Sequence, residues 1–342
     1  MTHRAVLRRL ACLLFFAVVL ALAPGCSSCG KKGASDKPRI VVSIFPIYDL
    51  VRRVAGADAE VTLLLQPGHN EHTFDPTPKD IETAAKSKLG VMVGLGLDPW
   101  MEKLMKDAAP TAKIIKVGDR VPATLTIKDD PIGADDDDDD HDHDHDAKGD
   151  AAAKKDEKKG HDKRGHDDHD HEKGAPDPHV WLDPTNARVI VRAVAEELGK
   201  IDSPHALDYR KRGDEIEASL DALDKEAETK TKALKTRGFV TFHGSFSYFA
   251  ARYKLSVLAV IEPFAGSQPT MEYIQKVLKV IKEKKVPALF SEPQLDARPA
   301  KIIADEAKIP LGVLDPVGGG PNTDTYEKMI RYDVAELEKY LK

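Results

Sequence analysis

Apolar residues along the chain fall into short runs that alternate with stretches of helical spacing. Arg39 to Ile44, Glu60 to Leu65, Gly90 to Val93 and Lys113 to Val117 are β-branched or apolar runs that predict strands, with helix-like segments beginning near Ile47, Pro78 and Pro99. A second series repeats the pattern. Its predicted strands are Gly238 to Phe242, Ser256 to Ile261, Pro287 to Ser291 and Pro310 to Leu314, with helices from about Met271 and Arg298 and a last one from Thr325 to Leu341. This strand and helix alternation predicts parallel sheets covered by helices. Between the two series, Pro184 to Lys200 predicts one helix and Pro204 to Leu234 a longer one, in which Ile216, Leu220, Leu223 and Ala227 recur at steps of four, three and four. Gly213 interrupts it at a cost of about 1 kcal/mol relative to Ala. Some thirty helical residues reach about 45 Å, more than one small lobe needs. The expected fold is therefore α/β, with lobes over residues 38–202 and 236–342 joined by a helix over 203–235.

Residues 133–176 break the alternation. Asp135 to Asp140 are followed by His141, His143 and His145, then by Lys- and Asp-rich sequence, then by His161, His166, His169 and His171. Apart from alanines the segment holds no apolar residue, so it cannot bury enough surface to offset the entropy of ordering. A disordered insertion in the first lobe is expected. A plain charged linker has no need of seven histidines, which favours weak metal capture over solvation alone.

The start of the chain has the pattern of an export signal. His3, Arg4, Arg8 and Arg9 precede an apolar run from Leu10 to Ala23, then Pro24, Gly25 and Cys26. That run falls short of the about 20 residues that span a bilayer. The setting of Cys26 resembles the lipobox of bacterial lipoproteins, in which the signal peptidase cuts before an acylated Cys. Ala23 stands where that pattern usually has Leu, and Cys29 is a second candidate. The alternative is an ordinary secretory signal with a soluble mature protein. Residues 1–25 are thus expected to be a signal peptide and 26–37 a polar tether. Cys12 leaves with the signal, so no disulfide staples the fold.

Composition agrees with a globular chain: 342 residues, 41% hydrophobic and 6% aromatic, carry apolar material for two ordinary domain cores. The formal charge of -6 is uneven. Residues 133–176 carry 17 acidic and 8 basic side chains, a net of -9, leaving the rest at about +3. No Lys/Arg cluster interleaves with aromatics in the folded part, so neither a nucleic-acid partner nor zinc fingers are expected.

Ligands of open α/β sheets bind beyond the carboxyl ends of the strands. Several metal-ligand types stand there. His72 follows the strand ending at Leu65 through Gln66-Pro67-Gly68, His243 follows Phe242, Glu292 follows Ser291 and Asp315 follows Leu314. His179 lies in Asp177-Pro178-His179-Val180-Trp181-Leu182-Asp183-Pro184, just past the insertion. A lone His at a strand end is more often a hydrogen-bonded surface or core residue than a ligand. Three in ordered motifs reverse that preference.

The segments Pro67 to Pro76, Asp177 to Pro184, Phe242 to Phe249 and Leu314-Asp315-Pro316 resemble, in order, the zinc/manganese solute-binding proteins of ABC transporters. The resemblance covers nearly all of Arg39 to Lys342. It implies two (β/α) lobes joined by a rigid backbone helix with the metal in the cleft between them. It also implies an extracytoplasmic protein that captures Zn²⁺ and delivers it to the membrane permease of an importer. Carried over position by position, His72, His179 and His243 fall on the histidine ligands and Asp315 on the carboxylate. Glu71 is a rival fourth ligand, and Glu292 is expected to orient a ligand imidazole through its free N–H. Two departures stand out: Gly244-Ser245 where relatives commonly have Asp-Ala, and no paired cysteines in the second lobe.

Imidazoles with one carboxylate suit tetrahedral Zn²⁺, whereas Mn²⁺ prefers more oxygen. Manganese-binding relatives typically carry Glu where this chain has His243. His69 and His205 are expected at the surface, and Phe74, Trp181 and Tyr248 as packing that also shields the site from water. The expectation is a monomeric metal carrier, not an enzyme, anchored at a bacterial membrane. The alternatives are a zinc hydrolase with an open fourth position, a manganese-binding protein, or a metal-buffering or adhesin-like surface lipoprotein without a transporter.

Overall fold

The computed structural model describes residues 37–127, 174–262 and 269–342. The signal segment, Cys26, Cys29, nearly all of the tether and the histidines of the insertion (His141, His143, His145, His161, His166, His169 and His171) lie outside the described residues.

In the first lobe β1 (Arg39–Val42), α1 (Phe45–Ala55), β2 (Glu60–Leu63), α2 (Pro78–Ala85), β3 (Leu89–Met92), α3 (Pro99–Ala108) and β4 (Lys113–Lys116) follow one another. Then come α4 (Pro184–Ile201) and the long α5 (Ala206–Lys232). The second lobe holds β5 (Gly238–His243), α6 (Ser247–Tyr253), β6 (Ser256–Glu262), α7 (Met271–Glu283), β7 (Leu289–Ser291), α8 (Arg298–Ala307), β8 (Leu311–Val313) and α9 (Tyr326–Leu341). Helices α2, α3 and α4 each open on Pro, whose missing N–H falls where no intrahelical partner exists. Thr77 and Asp183 cap two of them by accepting from Asp80 N and Thr185 N.

Each lobe is built on a four-stranded parallel sheet, in the orders β2-β1-β3-β4 and β6-β5-β7-β8. The central strand β3 (Leu-Gly-Val-Met) is buried throughout, while edge strand β2 alternates half-buried and exposed positions. In both sheets the direction of winding reverses beside the first strand, between β1 and β3 and between β5 and β7, which opens a crevice at the carboxyl ends.

Two differences from the sequence-based expectation concern packing. Instead of two separate cores, one apolar cluster runs from Ile40 and Val91 through Ile190, Leu220 and Leu223 to Phe249, Ile330 and Leu341, with a smaller cluster on the far face of each sheet. The apolar stripe of α5 is shared: the helix packs on α1 and α4 of the first lobe and on α6 and α9 of the second. Helix α6 was not expected, because its seven residues make only about two turns, too few for a recurring apolar stripe to stand out. The insertion, expected to extend to Pro176, is already ordered there. Thr126 and Pro176 form an antiparallel bridge, Ile127 N donates to Ala175 O at 2.9 Å and Asp177 N to Leu125 O at 2.7 Å.

The lobes are joined by buried polar contacts as well. Trp181 Nε1 donates to Pro316 O at 2.7 Å and Tyr326 Oη to Trp181 O at 2.6 Å. Asp49, buried on α1, accepts from Tyr326 N at 3.0 Å, and Arg53 grips both oxygens of Glu327 at 2.9 Å. At Gly319 (φ +88°) a Cβ would lie 2.6 Å from Pro67 Cγ, so only glycine permits the approach of the two lobes there.

Two glycine replacements should therefore differ in sign. Gly319→Ala combines a left-handed φ with a steric clash and should destabilise the protein by about 1–3 kcal/mol. Gly213→Ala places its Cβ 3.4 Å from Ala195 Cβ, ordinary contact, and should stabilise α5 by about 0.5–1 kcal/mol. Urea unfolding midpoints of the two variants check both.

Candidate metal centre

Three imidazoles meet between the lobes. His72 stands in the loop after β2, whose turn Pro67-Gly68 uses the positive φ of Gly68 (+85°). His179 directly precedes a 3-10 turn, Val180–Leu182, that leads into α4, and His243 ends β5 at the crevice of the second sheet. Ring centroids lie 5.6 Å apart for His72 and His179, 5.0 Å for His72 and His243, and 5.2 Å for His179 and His243. One ring nitrogen from each falls within 4.8 Å of the others, a spacing that one tetrahedral ion bridges with small side-chain movements.

His179 is the best defined of the three. Its Nδ1 lies 2.8 Å from Asp177 Oδ1, and the same oxygen accepts from His179 N at 2.9 Å. The carboxylate fixes the proton on Nδ1, leaving Nε2 with its lone pair toward the cluster, buried and without a hydrogen-bond partner among the described residues. A buried acceptor left this way is costly unless something binds it. Trp181 packs 5.3 Å from this ring. Tyr248 supports it from the second lobe: its hydroxyl donates to Asp177 O at 3.0 Å and accepts from Leu125 N at 2.9 Å. Burial pushes this phenol up to about 12, so it remains a hydroxyl at neutral pH.

The expected carboxylates are nearby but fall outside the mutual 4.8 Å group, which contains neither Asp315 nor Glu71. Asp315 is held firmly. Gln294 Nε2 and Gly318 N donate to its Oδ1 at 2.7 and 2.8 Å, Thr323 Oγ1 donates to Oδ2 at 2.9 Å, and its own N–H donates to Asp333 at 2.7 Å. Glu71 Oε1 lies 4.0 Å from His72 Nε2, and its carbonyl accepts from Trp100 Nε1, whose ring packs on Phe74 at 4.7 Å. Glu292 accepts from Ser245 Oγ at 2.5 Å, which gives the Gly244-Ser245 departure a role. For His179 the ring orientation is supplied by Asp177. His69 is exposed, and His205 is paired with Asp202 away from the cluster.

Burial raises the carboxyls of Glu71 and Glu292, and neighbouring negative charge raises them further, Asp315 acting on Glu71 and Glu71 on Glu292. A buried pocket that sets acids beside imidazoles favours a bound cation. Asp177, Gln294, Thr323 and Asp333 were not singled out from sequence, and Ser245 only as a departure from the family pattern. Asp333 carried a signal: it falls on the apolar stripe of α9 beside Ile330, Val334 and Leu337, where a carboxylate needs a purpose.

Among known proteins, this chain is similar to the high-affinity zinc uptake system protein ZnuA of Brucella abortus (strain 2308), 32% identical over 315 residues, 89% of this chain and 91% of that protein. It is also similar to the manganese ABC transporter substrate-binding lipoprotein PsaA of Streptococcus mitis, 25% identical over 96% of this chain and 97% of that one. In fold it matches the periplasmic zinc-binding protein TroA from Treponema pallidum, with a TM-score of 0.71 at 22% identity, over 89% of this chain and 99% of that structure. The sequence model described as ZnuA, zinc-uptake complex component A, periplasmic, matches residues 40–340, and the chain belongs to that family.

Proposed function

We propose that the chain is the extracytoplasmic zinc-binding component of an ABC-type importer, holding Zn²⁺ between its lobes on His72, His179, His243 and Asp315 and passing it to the membrane permease. The observation that carries this reading is the convergence of three imidazoles from three separated motifs, in a chain of this family. The Brucella relative is named for zinc uptake and the Streptococcus relative for manganese, so the choice of metal rests on the donors. A nitrogen-rich set favours zinc, because Zn²⁺ stands above Mn²⁺ in intrinsic affinity and accepts tetrahedral coordination. Asp315 is favoured over Glu71 as fourth ligand because its carboxylate is already oriented by three donors. With a carboxylate in the fourth position no water is left to activate, which speaks for a carrier and against a hydrolase. Acylation of Cys26 would keep this carrier beside its permease.

Replacing a ligand should cost more than the about 10–100-fold that outer-shell changes typically cost in metal affinity. His179→Ala should therefore abolish one equivalent of tight zinc binding, while His205→Ala leaves it intact. Isothermal titration with zinc measures both, and tight one-to-one binding surviving in the His179 variant would overturn the ligand set.

Competition titration should show zinc displacing manganese readily. Manganese holding the site against equimolar zinc would reverse the assignment.

Deleting residues 133–173, which removes the seven histidines and keeps the ordered stem at Ala175 and Pro176, should leave the tight site but remove weak additional equivalents and slow loading from dilute zinc. Free imidazoles have a reference pKa near 6.5, so those weak equivalents should vanish below about pH 6 as the histidines protonate. Loss of the tight equivalent on deletion would make the insertion a primary ligand donor.

A further inference from the structure

The base of the insertion and the metal centre share one hydroxyl. Chain segments 125–127 and 175–177 lie side by side through the Thr126 and Pro176 bridge and the bonds from Asp177 N to Leu125 O and from Ile127 N to Ala175 O. This stem belongs to the first lobe, and Tyr248 reaches it from α6 of the second, five residues after His243. The hydroxyl accepts from one strand of the stem, at Leu125 N, and donates to the other, at Asp177 O. Asp177 is the residue whose carboxylate holds both the ring and the backbone N–H of His179.

We propose that Tyr248 is a positioning residue that locks the insertion stem to the metal centre, so that the pairing of the stem and the retention of the bound ion are coupled. This coupling rests on the zinc-carrier reading above and on connectivity. A single hydroxyl has one proton to donate, and here it is used on Asp177 while a lone pair receives Leu125. Both partners are backbone groups, so the bond sets where the chain runs rather than how a side chain turns. If the hydroxyl is lost, Asp177 O loses its donor and Leu125 N its acceptor, and the segment that presents the Asp177 carboxylate is held less firmly. His179 Nδ1–H then loses its fixed acceptor, and Nε2 is no longer aimed at the ion. Because Tyr248 belongs to one lobe and the stem to the other, any separation of the lobes breaks both bonds at once and loosens His179 in the same movement.

Tyr248→Phe keeps the ring and removes only the hydroxyl. Zinc release into a chelator in excess should quicken about tenfold, at the low end of the effect of outer-shell changes. The tight equivalent should persist. Asp177→Asn should quicken release as well, and the double variant should release no faster than Asp177→Asn alone, since both act along one path. Additive effects, or release at the wild-type rate in Tyr248→Phe, would overturn the coupling. A second measurement uses the unaltered protein and is independent of how the variant folds. If the stem supports the ion, the ion must support the stem, so zinc loading should slow hydrogen exchange at the amides of Leu125, Ile127 and Asp177 more than at Ile281 of α7. Equal slowing at all four would also overturn it. Failure of the wild-type chain to bind a tight equivalent would instead refute the zinc-carrier reading, a result distinguishable from either outcome for Tyr248.

Discussion

The centre exists only where two sheets present their carboxyl ends to each other, and that arrangement depends on Trp181. Its indole N–H is bonded to Pro316 O of the second lobe, its carbonyl receives the hydroxyl of Tyr326, and its ring packs beside His179. One residue thus faces both His179 and the opposite lobe, and these bonds are formed in a region withheld from water, where an unmade bond is costly. Around it, Arg53 with Glu327 and Asp49 with Tyr326 N fix α1 against α9. The shared core around α5 does the rest. The result is a cleft set by packing, in which the three imidazoles already lie together.

Electrostatics makes this preorganisation purposeful. Glu71, Glu292, Asp315 and Asp333 are all buried in the second lobe or at its boundary with the first, with no Lys or Arg among the residues bonded to them in the described contacts. Burial pushes the carboxyls of Glu71, Glu292 and Asp333 upward, and each raises or is raised by a neighbour. Such crowding is a liability for stability taken alone. Beside a divalent ion the same charges become favourable, so this region trades folding stability for affinity.

Much of this was legible in the sequence. Every strand was located within a few residues, because parallel strands buried on both faces are continuous apolar runs that periodicity detects. The three histidines that the fold brings together were legible because each follows a strand or sits in a motif of characteristic order. What stayed hidden was set by tertiary contact: Ser245 reaching Glu292, Gln294 and Thr323 reaching Asp315, Tyr248 reaching Leu125. Those partners lie 8 to 123 residues apart, and no local pattern links them. Asp177 was within sight, two residues before His179 in a quoted motif, yet the Asp and His spacing alone does not say which way either side chain turns. The shared core was missed for a related reason, since the apolar stripe of α5 shows that the helix is buried but not that both lobes bury it.

The contacts that fasten α9 to the first lobe have an implication for how the chain is made. Tyr326 and Asp49 are separated by 277 positions, and Glu327 and Arg53 by 274. A ribosome therefore completes both sheets, except for their seal, before the residues that close them have been synthesised. Closing so long a loop is entropically slow, and pairs this distant form late. The opening turn of α9 thus closes the seam only after both sheets have been synthesised.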